Sequence, residues 1–386
     1  MTLNPANIRI LHVITALPTG GAETMLLKLL SATEEQYRHA VVSLKDEGII
    51  GPRIKELGVP VYSLGIRPGA PNPFRVFSIR SVVRQFRPDL IQGWMYHGNI
   101  MASVASFLSR GRVPVIWNIR QSVRDLADYG RWTAMVIRLG ALMSRGPAKI
   151  IYVSQSGANQ HETLGYDSGR RIIIPNGIDC EVFHPDSEAR KVVRAELGIP
   201  PESVLVGLVA RYHPMKDHAG FLTAAVQVSR IHPSVRFMLV GKGVSEDQVT
   251  LSRTITELQL QGRVFLLGER QDTARLTAAL DIACSASLWG EGFSNAIGEA
   301  MACGVPCVVT DVGDSAYIIG DTGLSVPPGQ TDILAGAIMR LIDVGAEGRR
   351  ERGMAARQRV ACEFSLPSVA RRYQELYQRL VLQEST

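Results

Sequence analysis

Residues 286–313 of this 386-residue chain run ASLWGEGFSNAIGEAMACGVPCVVTDVG, and they indicate its class of fold. The small and polar residues among them predict a loop, and a helix follows over about Ala296–Ala302, with Ser294 or Asn295 suited to its N-cap. A glycine and a proline then end the helix, and Pro306–Thr310 predicts a short buried strand. Loop, helix, turn and strand in this order are typical of an α/β domain.

The first turn of this helix is a candidate phosphate site. Free backbone N–H groups at a helix N-terminus, next to a loop of small residues, favour an anion. Glu291 lies between two glycines before the helix and Glu299 lies within it, so their carboxylates are placed to bind hydroxyl groups on either side of a phosphate. The alternative for the same residues is an ordinary strand–helix turn with two solvated glutamates.

The spacing of these glutamates resembles the signature of the retaining GT4-type glycosyltransferases, which have the GT-B fold. Glu291 and Glu299 stand eight positions apart and are followed by Ala-Met-Ala-x-Gly-x-Pro-x-Val-x-Thr-Asp. In that family the first glutamate binds hydroxyls of the donor sugar and the second binds the ribose. The family's donor site also includes the residues that correspond here to Gly292, Phe293, Ser294 and Asn295. The resemblance covers most of the chain and implies two facing Rossmann-like domains, each a doubly wound parallel sheet, with an interdomain cleft.

Length and composition fit a chain of two globular α/β domains. The chain has 46% hydrophobic and 20% charged residues, and no apolar run reaches the roughly 18–20 residues of a membrane span. Its first residues lack the basic and apolar regions of a signal peptide. Its five cysteines form no Cys-x-x-Cys pair, so we expect free thiols and a cytoplasmic location.

In the first half, short apolar strands alternate with amphipathic helices, which predicts a parallel sheet with ligands at the carboxyl ends of its strands. The strand predicted at Ile8–Ile14 leads into Gly20, Gly21 and a helix, an arrangement that holds phosphates. This loop is neither the dinucleotide fingerprint nor a P-loop. In the resembled family a Gly-Gly loop approaches the donor diphosphate, so we predict that Gly20 and Gly21 bind the donor.

Two further strand ends of the first half carry candidate functional residues. His97 follows the strand predicted at Leu90–Trp94, and Arg120 follows the strand predicted at Val113–Asn118. A lone histidine in such a position is more often structural, but the resemblance implies a histidine near the donor sugar, so His97 is a predicted catalytic residue. Arg120 is a predicted acceptor or phosphate contact, and an ordinary surface arginine is the alternative.

The boundary between the two domains is predicted from the segment after residue 172. Residues 172–179, IIIPNGID, resemble the family's interdomain hinge, and we place the boundary near Pro185. The domains are then 1–185, on the acceptor side, and 186–365, which binds the nucleotide sugar. Apolar residues at 3- and 4-residue spacing predict a C-terminal helix over about 366–386, and the resemblance implies that it packs back on the first domain.

Two cations after the predicted strand Val204–Val209 are the strongest candidates for diphosphate binding. Arg211 can bind a diphosphate through two N–H groups, and Lys216 can act as a point charge, whereas two solvated loop cations are the alternative. The resembled family has this pair at the same place, where it binds the diphosphate and stabilises the leaving group. Arg270 follows the strand whose backbone in that family reads the nucleobase, so it is a predicted donor contact, and UDP, GDP and ADP donors are not distinguished.

Together these residues predict a retaining hexosyltransferase that moves a sugar from a nucleoside-diphosphate sugar to an acceptor hydroxyl. No Asp-x-Asp motif occurs and two cations can replace a metal ion, so we expect neither a metal nor a cofactor. The predicted acceptor is a saccharide, most plausibly lipid-linked, in envelope polysaccharide or lipopolysaccharide synthesis. The alternatives are a GT-B sugar-nucleotide epimerase and a catalytically silent partner subunit that binds nucleotide sugar.

The distribution of charge suggests an anionic partner for the first half. The net charge of +6 belongs to residues 1–188, and residues 75–149 alone carry 12 basic against 3 acidic residues. No nucleic-acid motif is present. Basic amphipathic helices at Phe77–Phe86 and Arg131–Met143 predict peripheral binding to an anionic membrane on its cytoplasmic face. The alternative is that their apolar residues belong to the core and their arginines to a solvated rim.

Overall fold

The computed structural model of the chain describes residues 8–66, 77–109 and 113–383. The chain divides into two compact units, of which the first is Met1–Gly177 with Leu366–Thr386 and the second is Ile178–Ser365. Arg75, which the sequence places in the basic segment, lies outside the described residues.

The division falls at Gly177, earlier than the boundary near Pro185 that the sequence suggested. The reason is a backbone connection within the second unit: the Ile178 N–H donates to the Phe364 carbonyl at 2.8 Å, and Ile178 forms a parallel bridge with Ser365. The turn-rich segment 178–185 therefore belongs to the second unit.

The described part of the first unit contains a seven-stranded parallel sheet in the order β3-β2-β1-β4-β5-β6-β7. Its strands are β1 (Arg9–Ile14), β2 (Arg38–Ser43), β3 (Val61–Ser63), β4 (Leu90–Trp94), β5 (Val115–Ile119), β6 (Lys149–Tyr152) and β7 (Arg171–Ile173). Its helices are Gly21–Thr33, Ile50–Glu56, Ile79–Phe86, Met95–Phe107, Arg131–Met143, Gln155–Thr163 and Leu366–Gln383. The strand order reverses between β1 and β4, so the loops after these two strands diverge and leave room for a ligand.

The second unit repeats this arrangement with six parallel strands in the order β10-β9-β8-β11-β12-β13 among the described residues. Its strands are β8 (Leu205–Val209), β9 (Arg236–Val240), β10 (Val264–Leu266), β11 (Ile282–Ser285), β12 (Cys307–Thr310) and β13 (Leu324–Val326). Its helices are Ser187–Glu196, His218–Ile231, Val249–Glu257, Thr273–Ala278, Asn295–Ala302, Ser315–Ile319, Thr331–Asp343 and Gly345–Glu363. The reversal here lies between β8 and β11, which are the strands that lead into Arg211 and into Glu291.

The strands form where the sequence predicts buried apolar runs, because a parallel sheet covered by helices on both faces buries nearly every strand residue. Strand β13 was not predicted, because its residues Leu-Ser-Val form no apolar run. Each unit has its own apolar core, and the C-terminal helix contributes Val369, Tyr373, Leu376 and Tyr377 to that of the first unit. Two Rossmann-like domains of this topology in one chain are the domains of the GT-B fold.

Candidate functional site

The loop after β8 holds the predicted diphosphate-binding cations in a fixed turn. The turn Pro214–Lys216 is a short 3-10 helix, and the His213 ring nitrogen Nδ1 accepts the Met215 N–H at 3.2 Å. Asp217 follows in the left-handed region at a φ of 47° and accepts the Gly220 N–H at 2.9 Å as N-cap of the next helix. The backbone therefore determines where the side chain of residue 216 leaves the turn.

Lys216 forms an ion pair with Glu291, and both side chains are largely shielded from solvent, at 19% and 8% exposure. The Ser287 hydroxyl donates to the same carboxylate oxygen, Oε1, at 2.6 Å. The two loops are also joined by backbone, because the Leu288 N–H donates to the Met215 carbonyl at 2.8 Å. A lysine and a carboxylate held in this way keep their geometry when a ligand arrives, which is the requirement for electrostatic stabilisation of a developing charge.

A third loop fixes the other side of Glu291. Gly313 has a φ of 64°, and a Cβ at this position would lie 2.3 Å from the Glu291 carbonyl oxygen. The Asp314 N–H donates to the Gly292 carbonyl at 3.2 Å. Glycine is therefore needed at 313 both for its conformation and for the close approach of the two loops.

Arg211 lies at the carboxyl end of β8 with its side chain exposed. One guanidinium nitrogen is 4.0 Å from the Met215 sulfur. The same methionine packs on the glutamate loop, since a Cβ on Gly290 would lie 2.9 Å from its terminal methyl group. Met215 thus contacts both Arg211 and the loop of Glu291, so the two predicted cations and the glutamate belong to one cluster.

The helix after this loop begins as the sequence predicts. It spans Asn295–Ala302, and Ser294 occupies the N-cap position in an extended conformation. Among the described residues the Ser294 side chain accepts no hydrogen bond from the first turn of this helix. Glu299 is half-buried on the helix, whereas the Phe293 ring is buried against Phe364, with ring centres 5.4 Å apart. Any donor contact at Phe293 would therefore come from its backbone.

Arg270 lies in a surface ion-pair cluster. Its guanidinium makes two contacts of 2.8 Å with Asp272, which also pairs with Arg275. These arginines lower the pKa of the Asp272 carboxyl well below its usual range. The donor-binding role predicted for Arg270 remains a prediction, and a side-chain contact would require it to leave Asp272.

In the first unit the Glu23 carboxylate lies close to Gly20 of the Gly-Gly loop. Gly20 is the N-cap of the helix Gly21–Thr33, and a Cβ on Gly20 would lie 2.4 Å from an oxygen of Glu23. Burial raises the pKa of Glu23. Gly21 has open space around its Cα, with nothing within 4 Å of an added Cβ among the described residues. Backbone approach by a ligand is therefore possible at this end of β1.

His97 lies in the first turn of the helix Met95–Phe107, which follows the strand Leu90–Trp94. The helix begins directly after β4 because Met95 adopts the left-handed conformation, at a φ of 61°. Gly98 lets the helix pack against β1, since a Cβ there would lie 2.5 Å from the Val13 carbonyl oxygen. Burial, and next the charge of Lys45, lower the pKa of His97, which favours the neutral imidazole.

Arg120 is held by side chains of the first unit. Its guanidinium donates to the Asn118 amide oxygen at 3.2 Å and to the Tyr373 hydroxyl at 3.0 Å, and it also contacts Asn176. It lies over the Trp94 ring, 5.7 Å from the ring centre. These contacts give Arg120 a positioning role between β5 and the C-terminal helix, and its predicted contact with the acceptor remains a prediction.

The structure joins Arg211, Lys216, Glu291 and Gly292 in one cluster and places Gly20, Gly21, His97 and Arg120 at strand ends of the other unit. Sequence reasoning missed Ser287, Gly313 and Met95. Of these three, Gly313 had a usable signal, as a glycine in the loop that follows the strand of the motif. Within the described residues no group of three His, Cys, Asp or Glu side chains could hold a metal ion. None of the helices in the described ranges has the length and apolar character that crossing a bilayer requires.

Comparison with known proteins gives consistent matches along most of the chain. Residues 19–182 match the family model described as Glycosyltransferase Family 4, and residues 203–344 match the model described as Glycosyl transferases group 1. The chain is 24% identical to EpsF of Bacillus subtilis, over 80% of each chain. It is 29% identical to the Escherichia coli UDP-Gal:alpha-D-GlcNAc-diphosphoundecaprenol alpha-1,3-galactosyltransferase, over 47% of each chain.

A third relative and a solved structure are also similar to this chain. The chain is 32% identical to the D-inositol 3-phosphate glycosyltransferase of Mycobacterium tuberculosis, over 52% of this chain and 42% of that protein. The crystal structure of Anabaena HepE in complex with UDP superposes with a TM-score of 0.85 at 23% identity and covers 96% of this chain and all of HepE. At that identity the superposition supports the shared fold.

Proposed function

This chain belongs to the group 1, or GT4, glycosyltransferases, and from that membership we propose that it transfers a hexose from a nucleoside-diphosphate sugar to a lipid-linked saccharide with retention of configuration. Glycosyl transfer is the activity of the family. The observation that carries the proposal for the donor site is the cluster of Lys216, Glu291 and Ser287, with Arg211 at the end of the neighbouring strand.

In the proposed reaction the bond between the anomeric carbon and the diphosphate oxygen breaks, and negative charge develops on the departing diphosphate. Lys216 and Arg211 neutralise that charge, and the N-terminal end of the helix Asn295–Ala302 adds its dipole. Two cations and a helix terminus supply the stabilisation that a metal ion supplies in other transferases, so we propose that no metal is required.

Glu291 has two roles in this proposal. Its Oε1 oxygen binds Lys216 and Ser287, which fixes the lysine, and its carboxylate orients hydroxyls of the donor sugar. Glu299 binds the ribose. Because Glu291 is engaged by Lys216 and Ser287, we assign it no nucleophilic role. We propose that the acceptor hydroxyl attacks the anomeric carbon on the face that the diphosphate leaves, within an ion pair, and that its proton passes to the departing diphosphate oxygen.

The acceptor class rests on the relatives. The E. coli relative acts, by its name, on a saccharide linked to diphosphoundecaprenol, and the M. tuberculosis relative acts on D-inositol 3-phosphate. Both acceptors carry phosphate, which fits the excess of basic residues in the first half of this chain. We favour the lipid-linked acceptor because one helix of the first unit has an exposed apolar and basic face, described below.

The test is a transfer assay with UDP-, GDP- and ADP-hexoses against three acceptor conditions: a diphosphopolyprenol-linked saccharide, an inositol phosphate, and no acceptor. Transfer to the lipid-linked saccharide, with an α-linked product from an α-configured donor by NMR, supports the proposal. Interconversion of the donor without acceptor indicates the epimerase alternative. Donor binding in a thermal-shift assay without turnover under any condition indicates a silent binding subunit.

A further inference from the structure

The helix Arg131–Met143 of the first unit exposes a large apolar face. Four big apolar side chains on it are exposed to solvent: Trp132 at 72%, Met135 at 52%, Leu139 at 42% and Leu142 at 83%. Arg131 and Arg138 are exposed beside them. At 100° per residue these six positions fall within an arc of about 120°, with the two arginines along one edge and the apolar residues across the rest. We call these six residues the outer face.

The opposite side of this helix is fixed to the body of the first unit. Ile137 is fully buried, and Gly140 is buried against Tyr166, whose hydroxyl would lie 2.3 Å from a Cβ at position 140. The same hydroxyl donates to the Ile137 carbonyl at 3.1 Å. The helix therefore cannot rotate its apolar residues inward, and their exposure is a property of the fold.

The other basic helix differs. In Ile79–Phe86 the apolar residues Ile79, Val82 and Val83 are buried, whereas Arg80 and Arg84 are exposed. The alternative of a core face with a solvated basic rim is therefore correct for that helix. Of the two basic helices, Arg131–Met143 is therefore the one that remains a candidate for a membrane-facing surface.

We propose that the outer face docks on the surface of an anionic lipid bilayer, which deepens the proposed function because a lipid-linked acceptor lies at such a surface. The argument for this occupant is its charge. Residues 129–161 contain no Asp or Glu, and Arg145 follows the helix at the next turn. Among the described residues Arg131, Arg138 and Arg145 form no ion pair.

Both the apolar residues and the arginines of the outer face fit the boundary region of a lipid bilayer. The tryptophan and the aliphatic side chains enter the boundary between headgroups and acyl chains, where tryptophan is favoured. The arginines reach lipid phosphates. A second copy of this chain would have to bring acidic groups to the same edge, and this occupant is one outcome of the test.

The experiment measures co-sedimentation of the purified full chain with sucrose-loaded vesicles, either neutral phosphatidylcholine or the same lipid with about a third phosphatidylglycerol, in about 0.1 M NaCl. We expect clear binding to the anionic vesicles only. Trp132→Ala/Leu142→Ala should reduce the partition coefficient at least tenfold, as should Arg131→Glu/Arg138→Glu. A matched control, Ile231→Ala/Val249→Ala, removes two equally exposed apolar side chains from the second unit and should change nothing.

Equal and negligible binding to both vesicles, or equal loss in the control variant, would overturn the proposal. So would unchanged vesicle binding in the outer-face variants with a change of oligomeric state by sedimentation velocity, because that result indicates a second copy as the occupant. The binding assay contains no donor or acceptor. Failure of the wild-type protein to bind UDP-, GDP- and ADP-hexoses would therefore count against the proposed function and leave the docking result intact.

Discussion

Lys216 and Glu291 stand 75 positions apart in the sequence and form an ion pair in the second unit. They meet because β8 and β11 are neighbours in the sheet and both end at the same edge. The strand order reverses at this place, which is where open parallel α/β sheets bind their ligands. The pair therefore joins the two motifs that the sequence identified separately.

Lys216→Ala should lower turnover at least 100-fold, about 3 kcal/mol of transition-state stabilisation, because the departing diphosphate loses a shielded cation. Lys191→Ala is a matched control, since Lys191 is exposed on a helix of the same unit and pairs only with Glu188 among the described residues. The measurement is kcat with saturating donor, with circular dichroism to check folding. Near-normal turnover of Lys216→Ala would remove this residue from the mechanism.

Gly313→Ala should reduce turnover by more than tenfold through displacement of the Glu291 loop, because the new Cβ meets the Glu291 carbonyl. Gly198→Ala separates this effect from backbone strain. Gly198 has nearly the same φ, 63°, with nothing within 4 Å of an added Cβ among the described residues. Both variants should lose about 1 kcal/mol of unfolding free energy to left-handed strain. Equal activity of the two would show that the close approach at 313 has no role.

Activity should survive excess EDTA, because two cations and a helix N-terminus provide the charge stabilisation in the proposed site. The measurement is the initial rate before and after dialysis against chelator, with a metal-dependent transferase as a control for chelation. Complete loss with recovery on adding Mg²⁺ or Mn²⁺ would show that the diphosphate is bound through a metal.

Arg120→Lys should destabilise the first unit by about 2 kcal/mol, because lysine cannot reproduce the contacts of a planar guanidinium with Asn118, Asn176 and the Tyr373 hydroxyl. Its effect on the KM for acceptor should be small. Arg124→Lys changes an exposed arginine of the same loop and serves as the control. A tenfold rise in acceptor KM at unchanged urea midpoint would instead support the direct acceptor contact predicted from the sequence.

A buried hydrogen-bonded chain in the first unit should make the protein sensitive to acid. The Trp94 N–H donates to His12 Nδ1 at 3.1 Å, His12 Nε2 is 3.1 Å from His39 Nδ1, and His39 Nε2 is 2.9 Å from the Thr33 hydroxyl. Because tryptophan can only donate, the chain is satisfied when both histidines are neutral and protonated on Nε2. Burial lowers the pKa of His39 from 6.5 to about 4.

A lowered pKa in the folded state means that the unfolded chain binds the proton first as the pH falls. The contribution of these hydrogen-bonded side chains to the free energy of unfolding is therefore complete above about pH 6.5. It is lost between pH 6.5 and about 4, and for His39 alone the loss is up to about 3 kcal/mol. Urea unfolding at pH 7.5 and 5.0 measures it. His39→Gln should reduce the difference between the two pH values, and His184→Gln, at an exposed histidine, should leave it unchanged.

The α/β class and the positions of most strands and helices could be predicted from the amino-acid pattern. Apolar runs such as Leu205–Val209, each followed by turn residues and a helix, indicate a parallel sheet that is covered by helices on both faces. These runs can be recognised within a few neighbouring residues, so they need no knowledge of the tertiary structure. The motif spacing around Glu291 and the cations after β8 were also local, so the candidate donor residues could be found before their arrangement was known.

The tertiary structure alone decided which of these residues meet. Gly313 approaches the Glu291 carbonyl only because β11 and β12 are adjacent, and no sequence period encodes that contact. It also decided which side of Arg131–Met143 faces outward. That helix has apolar residues around most of its circumference, so its pattern does not identify the buried side. The packing of Gly140 against Tyr166 identifies the buried side.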